Sequence, residues 1–214
     1  MSRPEVIVVG GGIIGCSIAW RLAQKGLFVA IYEAGRVGLE SSWAGAGMLA
    51  PGGEVENASP WARRSIESLR LYPDFLNELH EESGIPADFR SCGAVEVAFS
   101  EYEFAADENR SQEQGRFGIA SERLSREDIL ARLPHINPVC LVGGMHYPCD
   151  AIVDPREVVA GLRIACERRG VRIEENRRVR SLRELTGPAV VIAAGAWASQ
   201  LDPGLPHSFR SKVT

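Results

Sequence analysis

Apolar and polar residues alternate in two different rhythms along this chain, and the change between them marks out its elements. Val6 to Val9 is an unbroken apolar run, the pattern of a strand buried on both faces. From Ile13 the spacing turns helical, with Ile14, Ile18 and Leu22 on one face, and Gly26 after Lys25 suits the helix end. Val29 to Tyr32 is a second apolar strand, closed by Glu33. A loop of glycine and small residues fills 34–53. Trp61 to Leu79 is helical through Ile66, Leu69, Leu76 and Leu79, and Pro73 predicts a kink or two helices. Gly93 to Phe99 alternates, with Val95, Val97 and Phe99 on one side of a strand. Glu101 to Gln114 is charged enough for a surface helix, and Ser125 caps a short helix ending near Arg132. Asp154-Pro155-Arg156-Glu157 starts a helix whose apolar face is Val158, Leu162, Ala165 and Cys166, with Gly170 as its stop. Val171 to Ile173 and Val179 return to strand, and Ala189 to Ala194 reads as another buried strand ending at Gly195. The alternation of strand and helix, with an alternating-pattern insert in the middle, predicts an α/β chain carrying a partial antiparallel sheet.

The first unit carries chemistry. Gly10, Gly12 and Gly15 stand in the spacing G-x-G-x-x-G between a strand and a helix. Gly10 allows the tight turn, Gly12 lets backbone approach a pyrophosphate, and Gly15 lets helix and strand pack closely. The helix N-terminus offers free N–H groups to phosphate. Glu33, 18 residues past Gly15, can take both ribose hydroxyls and would repel a 2′-phosphate. The pattern predicts a dinucleotide of the FAD or NAD type.

Composition narrows the rest. Hydrophobic residues are 45% and charged residues 24%, ordinary globular usage. A net charge of −4 argues against nucleic acid, and the arginines between 163 and 183 interleave with Glu167, Glu174 and Glu175. The five cysteines form no C-x-x-C pair, so neither a disulfide framework nor a zinc site is expected, and a reducing, cytoplasmic setting is. His80, His135, His146 and His207 are scattered, which leaves no basis for a metal site. Residues 6–20 resemble a signal peptide core only until their four glycines are counted, and no apolar run reaches membrane-spanning length. Paired carboxylates and a nucleophile beside a base are both missing, so no catalytic residue is assigned; a flavin would supply the chemistry itself.

The Glu5–Glu33 pattern followed by SSWAGAGMLAP resembles the D-amino-acid oxidase superfamily of FAD-dependent amine oxidoreductases. Within it the sequence is most similar to the glycine oxidases of thiamin biosynthesis, through GGGIIG, GMLAP and DAIVDP. The resemblance implies a Rossmann-like FAD-binding domain in two parts, 1–85 and 144–214, with a partial substrate domain, 86–143, inserted. It implies that Ser41 and Ser42 serve the pyrophosphate and ribityl region, and that Ala46, Gly47 and Met48 lie against the isoalloxazine ring. Val179 would meet the adenine end by its backbone, unless it is simply a core valine. Gly195 would let the cofactor approach the strand end, beside a packing residue, Trp197. Ile13, Ile14 and Ala34 complete the implied cofactor set, and Met48 and Ala50 would face the substrate. The implied reaction is hydride transfer from a small amino acid or secondary amine to flavin N5, with oxygen or another acceptor taking the electrons. Relatives are longer, and LPHSFRSKVT departs from their pattern, so the chain is expected to be an N-terminal piece. Two other readings stay open: a non-catalytic remnant that binds a dinucleotide or self-associates, and an NAD-dependent dehydrogenase. Exposed apolar edges of a shortened sheet would favour a homo-oligomer.

Overall fold

The computed structural model describes residues 3–201. The strands are β1 (Val6–Val9), β2 (Val29–Tyr32), β3 (Met48–Leu49), β4 (Phe89–Arg90), β5 (Ala94–Ala98), β6 (Glu122–Ser125), β7 (Gly143–Tyr147), β8 (Ala151–Val153), β9 (Arg172–Glu174) and β10 (Ala189–Ile192). The α-helices are α1 (Ile13–Gln24), α2 (Ser41–Ala44), α3 (Pro51–Glu54), α4 (Pro60–Ser83), α5 (Glu101–Gly115), α6 (Arg126–Arg132), α7 (Pro155–Arg168) and α8 (Ala198–Leu201). They form two compact units. The first takes the chain up to Ala46, then Leu76–Asp88, then from Asp154 onward; the second takes Gly47–Phe75 and Phe89–Val153. Residues 47–75, which the sequence reading placed with the nucleotide-binding part, thus pack with the inserted sheet.

The first unit is built on a parallel sheet in the order β10-β1-β2-β9. Val6 pairs with Val29 on one side and Ala189 on the other. All residues of β1 and β2 are buried, which accounts for their unbroken apolar runs. β10 is a correction: its residues are exposed or half-buried, because among the described residues it is an outer strand. Val179 is a second, since it lies outside any strand, although its side chain is buried among Ile7, Val9, Ala30 and Tyr32.

A third correction concerns α1. Its buried side is Gly15, Cys16, Ala19, Trp20 and Ala23, while Ile14 is 63% exposed. Trp20 and the small residues are inside, on the side where α1 packs on α7, whose buried face is Val158, Val159, Gly161, Leu162, Ala165 and Cys166. At this junction the Cys166 thiol donates to the Cys16 carbonyl at 3.4 Å. The α7 start is as its sequence dictates: Asp154 accepts from the Arg156 amide at 2.8 Å, and Pro155 opens the helix.

The second unit holds two antiparallel sheets, β3-β8-β4 and β5-β7-β6. Phe104 of α5 lies in a core with Val55, Ala62, Ala98, Ile119, Met145 and Tyr147. Val95 and Val97 line the other core, with Leu124, Ile129 and Leu141, while Phe99, just past β5, is 43% exposed. α6 opens on a full capping box, with Ser125 and Asp128 bonding each other's backbone. The loop expected over 34–53 is not uniformly irregular: it contains α2, β3 and the start of α3. α4 runs through Pro73 as one helix, so of the two alternatives expected there, a kink or two helices, the second does not hold. The proline forfeits one backbone hydrogen bond, and the rest of the 24-residue helix outweighs it. Among the described residues no helix is long and apolar enough to cross a membrane. The closing stretch, residues 205–214, lies outside the described part, His207 with it.

Candidate dinucleotide site

The three motif glycines meet different surroundings. Gly10 has φ +107°, and a Cβ there would stand 2.4 Å from the Ala193 carbonyl oxygen at the end of β10. A Cβ on Gly15 would stand 2.0 Å from the Gly10 carbonyl oxygen. These two glycines are required for the turn and for helix–strand contact. Gly12 is different: the one atom near its Cβ position is Ser42 Oγ, at 3.1 Å. Its openness leaves room for a ligand rather than for the protein.

Gly11, the unassigned x of the motif, turns out to be held at both ends of its residue. Its N–H donates to Glu33 Oε2 at 2.7 Å. Its carbonyl accepts from the Gly38 amide at 2.9 Å and from the Cys16 thiol at 3.4 Å. Glu33 Oε1 accepts in addition from the Gly35 amide at 2.7 Å. A carboxylate has about four acceptor positions, so two remain for ligand hydroxyls. Glu175, which accepts from the Val37 amide at 2.9 Å and Arg163 at 3.0 Å, steadies the turn that carries Gly38. This backbone bond and the Arg163 guanidinium hold the Glu175 carboxyl below the ordinary glutamate range.

Ser42, on α2, accepts from the Ile13 amide at 3.0 Å, so its own hydroxyl proton is free to donate. Ser41 precedes it, exposed, and Ala34 and Ala46 are exposed as well. Among the described residues the amides of Gly12 and Ile14 have no acceptor. Segments 33–35 and 174–177 are tied together through their backbones. The Glu33 amide donates to the Glu174 carbonyl at 3.0 Å, the Arg177 amide to the Glu33 carbonyl at 2.7 Å, and the Asn176 amide to the Gly35 carbonyl at 2.8 Å. Two residues on, Val179 buries its side chain, while among the described residues its backbone groups have no partner. Gly195, at φ +52°, has open space where a Cβ would be. Trp197, expected to pack, is 40% exposed.

One unit therefore gathers Gly10, Gly12, Ile13, Ile14, Gly15, Glu33, Ala34, Ser41, Ser42, Ala46, Val179 and Gly195. Gly47, Met48 and Ala50 belong to the second unit. There Gly47 has φ +77° and accepts from the Val153 amide at 2.9 Å, and Met48 is 59% exposed. Sequence reasoning missed Gly11 and the close approach of Gly10 to Ala193 and Ala194. Gly11 had a signal in the third glycine of GGG, but the partner of Gly10 depends on a parallel pairing invisible in local sequence.

The first unit thus offers what an ADP-ribosyl dinucleotide needs: free helix-terminal amides, a hydroxyl donor, an acceptor for ribose hydroxyls and an open glycine. The family described as FAD dependent oxidoreductase, DAO, matches residues 5–213. The glycine oxidase of Geobacillus kaustophilus is 33% identical over 213 residues, covering 93% of this chain and 56% of that protein. The glycine oxidase of Bacillus subtilis is 29% identical over 221 residues, covering 96% of this chain and 58% of that protein. The crystal structure of the Geobacillus kaustophilus glycine oxidase superposes with a TM-score of 0.89 at 30% identity, over 94% of this chain and 58% of that one. The chain belongs to the DAO family of FAD-dependent oxidoreductases. FAD, and not NAD, is the cofactor of that family, so the nicotinamide reading falls. The chain spans a little over half the length of the curated relatives it matches.

Proposed function

We infer that this chain is part of a flavoenzyme that oxidises a small amino acid or secondary amine, of the glycine, sarcosine or D-amino-acid type. The observation that carries the reading is the geometry around Gly11: the turn is fixed by Glu33, Gly38 and Cys16, while among the described residues the Gly12 and Ile14 amides have no acceptor. The first unit is the FAD-binding part, and the second the beginning of the substrate domain. Gly12, Ile13, Ile14 and Ser42 hold the pyrophosphate by N–H and O–H donation. Glu33 takes the ribose hydroxyls, with Ala34 beside it. Val179 presents its backbone, without a partner among the described residues, to adenine. Ser41, Ala46, Gly47 and Gly195 give close backbone approach toward the ribityl and ring, and Met48 and Ala50 face the substrate side. A flavin held by these residues would supply the redox chemistry, hydride acceptance from the substrate α-carbon with oxygen or another acceptor taking the electrons. The protein's share is orientation and exclusion of water, so no acid or base within these residues is assigned.

The test is an absorption spectrum of the chain after mixing with FAD and desalting, followed by anaerobic addition of glycine, sarcosine, D-alanine or proline. Retained flavin bleached by one of these amines supports the reading. A colourless chain with no measurable FAD affinity sinks it in favour of a self-associating remnant; sedimentation then tests the homo-oligomer.

A further inference from the structure

Directly after Met48, Leu49 and Ala50 the chain makes the short helix α3, and its backbone is not left to satisfy itself. Asp150, 2% exposed, lies at the end of a turn closed by its own amide donating to the Tyr147 carbonyl at 3.2 Å. Its Oδ1 accepts from the Gly52 amide at 3.0 Å and its Oδ2 from the Gly53 amide at 3.3 Å. Gln114, fully buried in the last turn of α5, donates from Nε2 to the Gly52 carbonyl at 2.8 Å and the Val55 carbonyl at 2.5 Å. Two side chains from distant segments thus take up four polar groups of residues 52–55. The Tyr147 ring closes the remaining space, since a Cβ on Gly52 would stand 2.4 Å from it. Upstream, Met48 pairs with Ile152 and Leu49 with Ala151, and Gly47 accepts from Val153 at 2.9 Å. The stretch from Gly47 to Val55 is fixed at both ends.

Two features of this arrangement carry a cost. Burial pushes the Asp150 carboxyl above the ordinary aspartate range, with the Gly52 and Gly53 amides opposing and Glu54 adding to the rise. The Gln114 carbonyl oxygen is buried with no hydrogen-bond partner among the described residues. Burial of the carboxylate and of the unpaired amide oxygen is a cost that the four hydrogen bonds offset. What the pair adds is one definite path for the backbone.

We propose that Asp150 and Gln114 are positioning residues that clamp the Gly47–Val55 segment, and through it set Met48 and Ala50 at the flavin and substrate side. The inference rests on the flavoenzyme reading above for what that side faces, and on the hydrogen bonds alone for the clamp.

Amide hydrogen exchange on the full chain separates the two. Asp150→Asn keeps volume but turns a donor toward one of the two glycine amides. Gln114→Met keeps length and removes the orphaned oxygen together with the donor, so the surrounding apolar cluster retains its packing. Either variant is expected to speed exchange of the amides in 48–55 about tenfold or more, the value of one such bond, with β7 at its parent rate. FAD affinity is expected to fall about tenfold in the same variants, with a shifted flavin band. Acceleration spread evenly over 89–153 overturns the proposal, because the two groups are then ordinary core residues. Local acceleration with unchanged FAD affinity and spectrum overturns the link to the cofactor. A parent chain that binds no FAD defeats the flavoenzyme reading instead, and the exchange pattern by itself then decides the clamp.

Discussion

A methyl group added at Gly12 and one added at Gly15 lead to opposite outcomes. At Gly12 it touches a serine hydroxyl that can turn aside; at Gly15 it strikes the Gly10 carbonyl oxygen. Gly12→Ala is therefore expected to leave the melting temperature near that of the parent while weakening FAD binding about ten- to hundredfold, the value of one or two lost phosphate bonds. Gly15→Ala should cost about 3 kcal/mol or more by overpacking against backbone, read in urea unfolding without any cofactor. If both variants melt alike, the division of labour among the motif glycines is wrong. The cysteines divide just as sharply. Cys92, Cys140 and Cys149 are exposed, while Cys16 and Cys166 are buried. Burial, with Glu33 nearby, pushes the Cys16 thiol up to about 12, and burial also raises Cys166. A chromogenic disulfide reagent should titrate three thiols quickly in the native chain and the last two only on unfolding. Fast reaction of all five would contradict the packing of α1 on α7. At this scale the sequence was informative where a residue type has one use. The backbone roles of Gly10 and Gly15 could be assigned from spacing, whereas the bonds that hold Gly11 could not, because Glu33, Gly38 and Cys16 reach it from different elements.

Elements were legible at their ends more than on their faces. Asp154 with Pro155, Ser125 with Asp128, and Gly26, Gly84 and Gly170 at positive φ all mark helix limits that local chemistry dictates. The buried face of α1 was not legible, since Ile14, Ile18 and Leu22 outweigh small residues in any hydrophobic count. Close approach of α7 favours the face where Gly15, Cys16, Ala19 and Ala23 leave room, with Trp20 buried beside them. Pro73 does not divide α4 into two helices, because one lost hydrogen bond is small beside the rest of a 24-residue helix. The C-terminal part of α4 carries its own test. Glu78 accepts from Arg21 at 2.6 Å and from Gln24 at 2.8 Å. The Arg21 bond is the main reason its carboxyl lies below the ordinary glutamate range. Its folded pKa being lowered, the stability it adds is present above the unfolded glutamate pKa and is lost as pH falls through the folded value. The residue is nearly half exposed, so the effect is small. Glu78→Gln should flatten the decline in urea midpoint between neutral and acidic pH; an unchanged slope would remove the ion pair from the account.

Across the whole molecule, the parallel strand order and the interleaving of two units were the least legible features. β10 pairs with β1 from the far end of the chain, and β9 with β2, and no local pattern specifies which distant strand is the neighbour. The α/β class was readable because strand and helix rhythms alternate; the inclusion of 47–75 in the second unit was not, because β3 is two residues long. Ligand linkage gives the test at this scale. A cofactor that binds only the folded chain should add about 2.7 kcal/mol at a hundred times its dissociation constant, so the melting temperature should climb steadily with the logarithm of FAD concentration. NAD at equal concentration should leave it still, and equal shifts would point to a generic nucleotide effect. The hold on Gly11 has a kinetic counterpart. A turn already tied by Glu33, Gly38 and Cys16 has no folding left to do when its ligand arrives. Loading should then behave as a simple encounter: the observed rate rises in proportion to FAD with no plateau, and the empty chain waits in the shape of the full one.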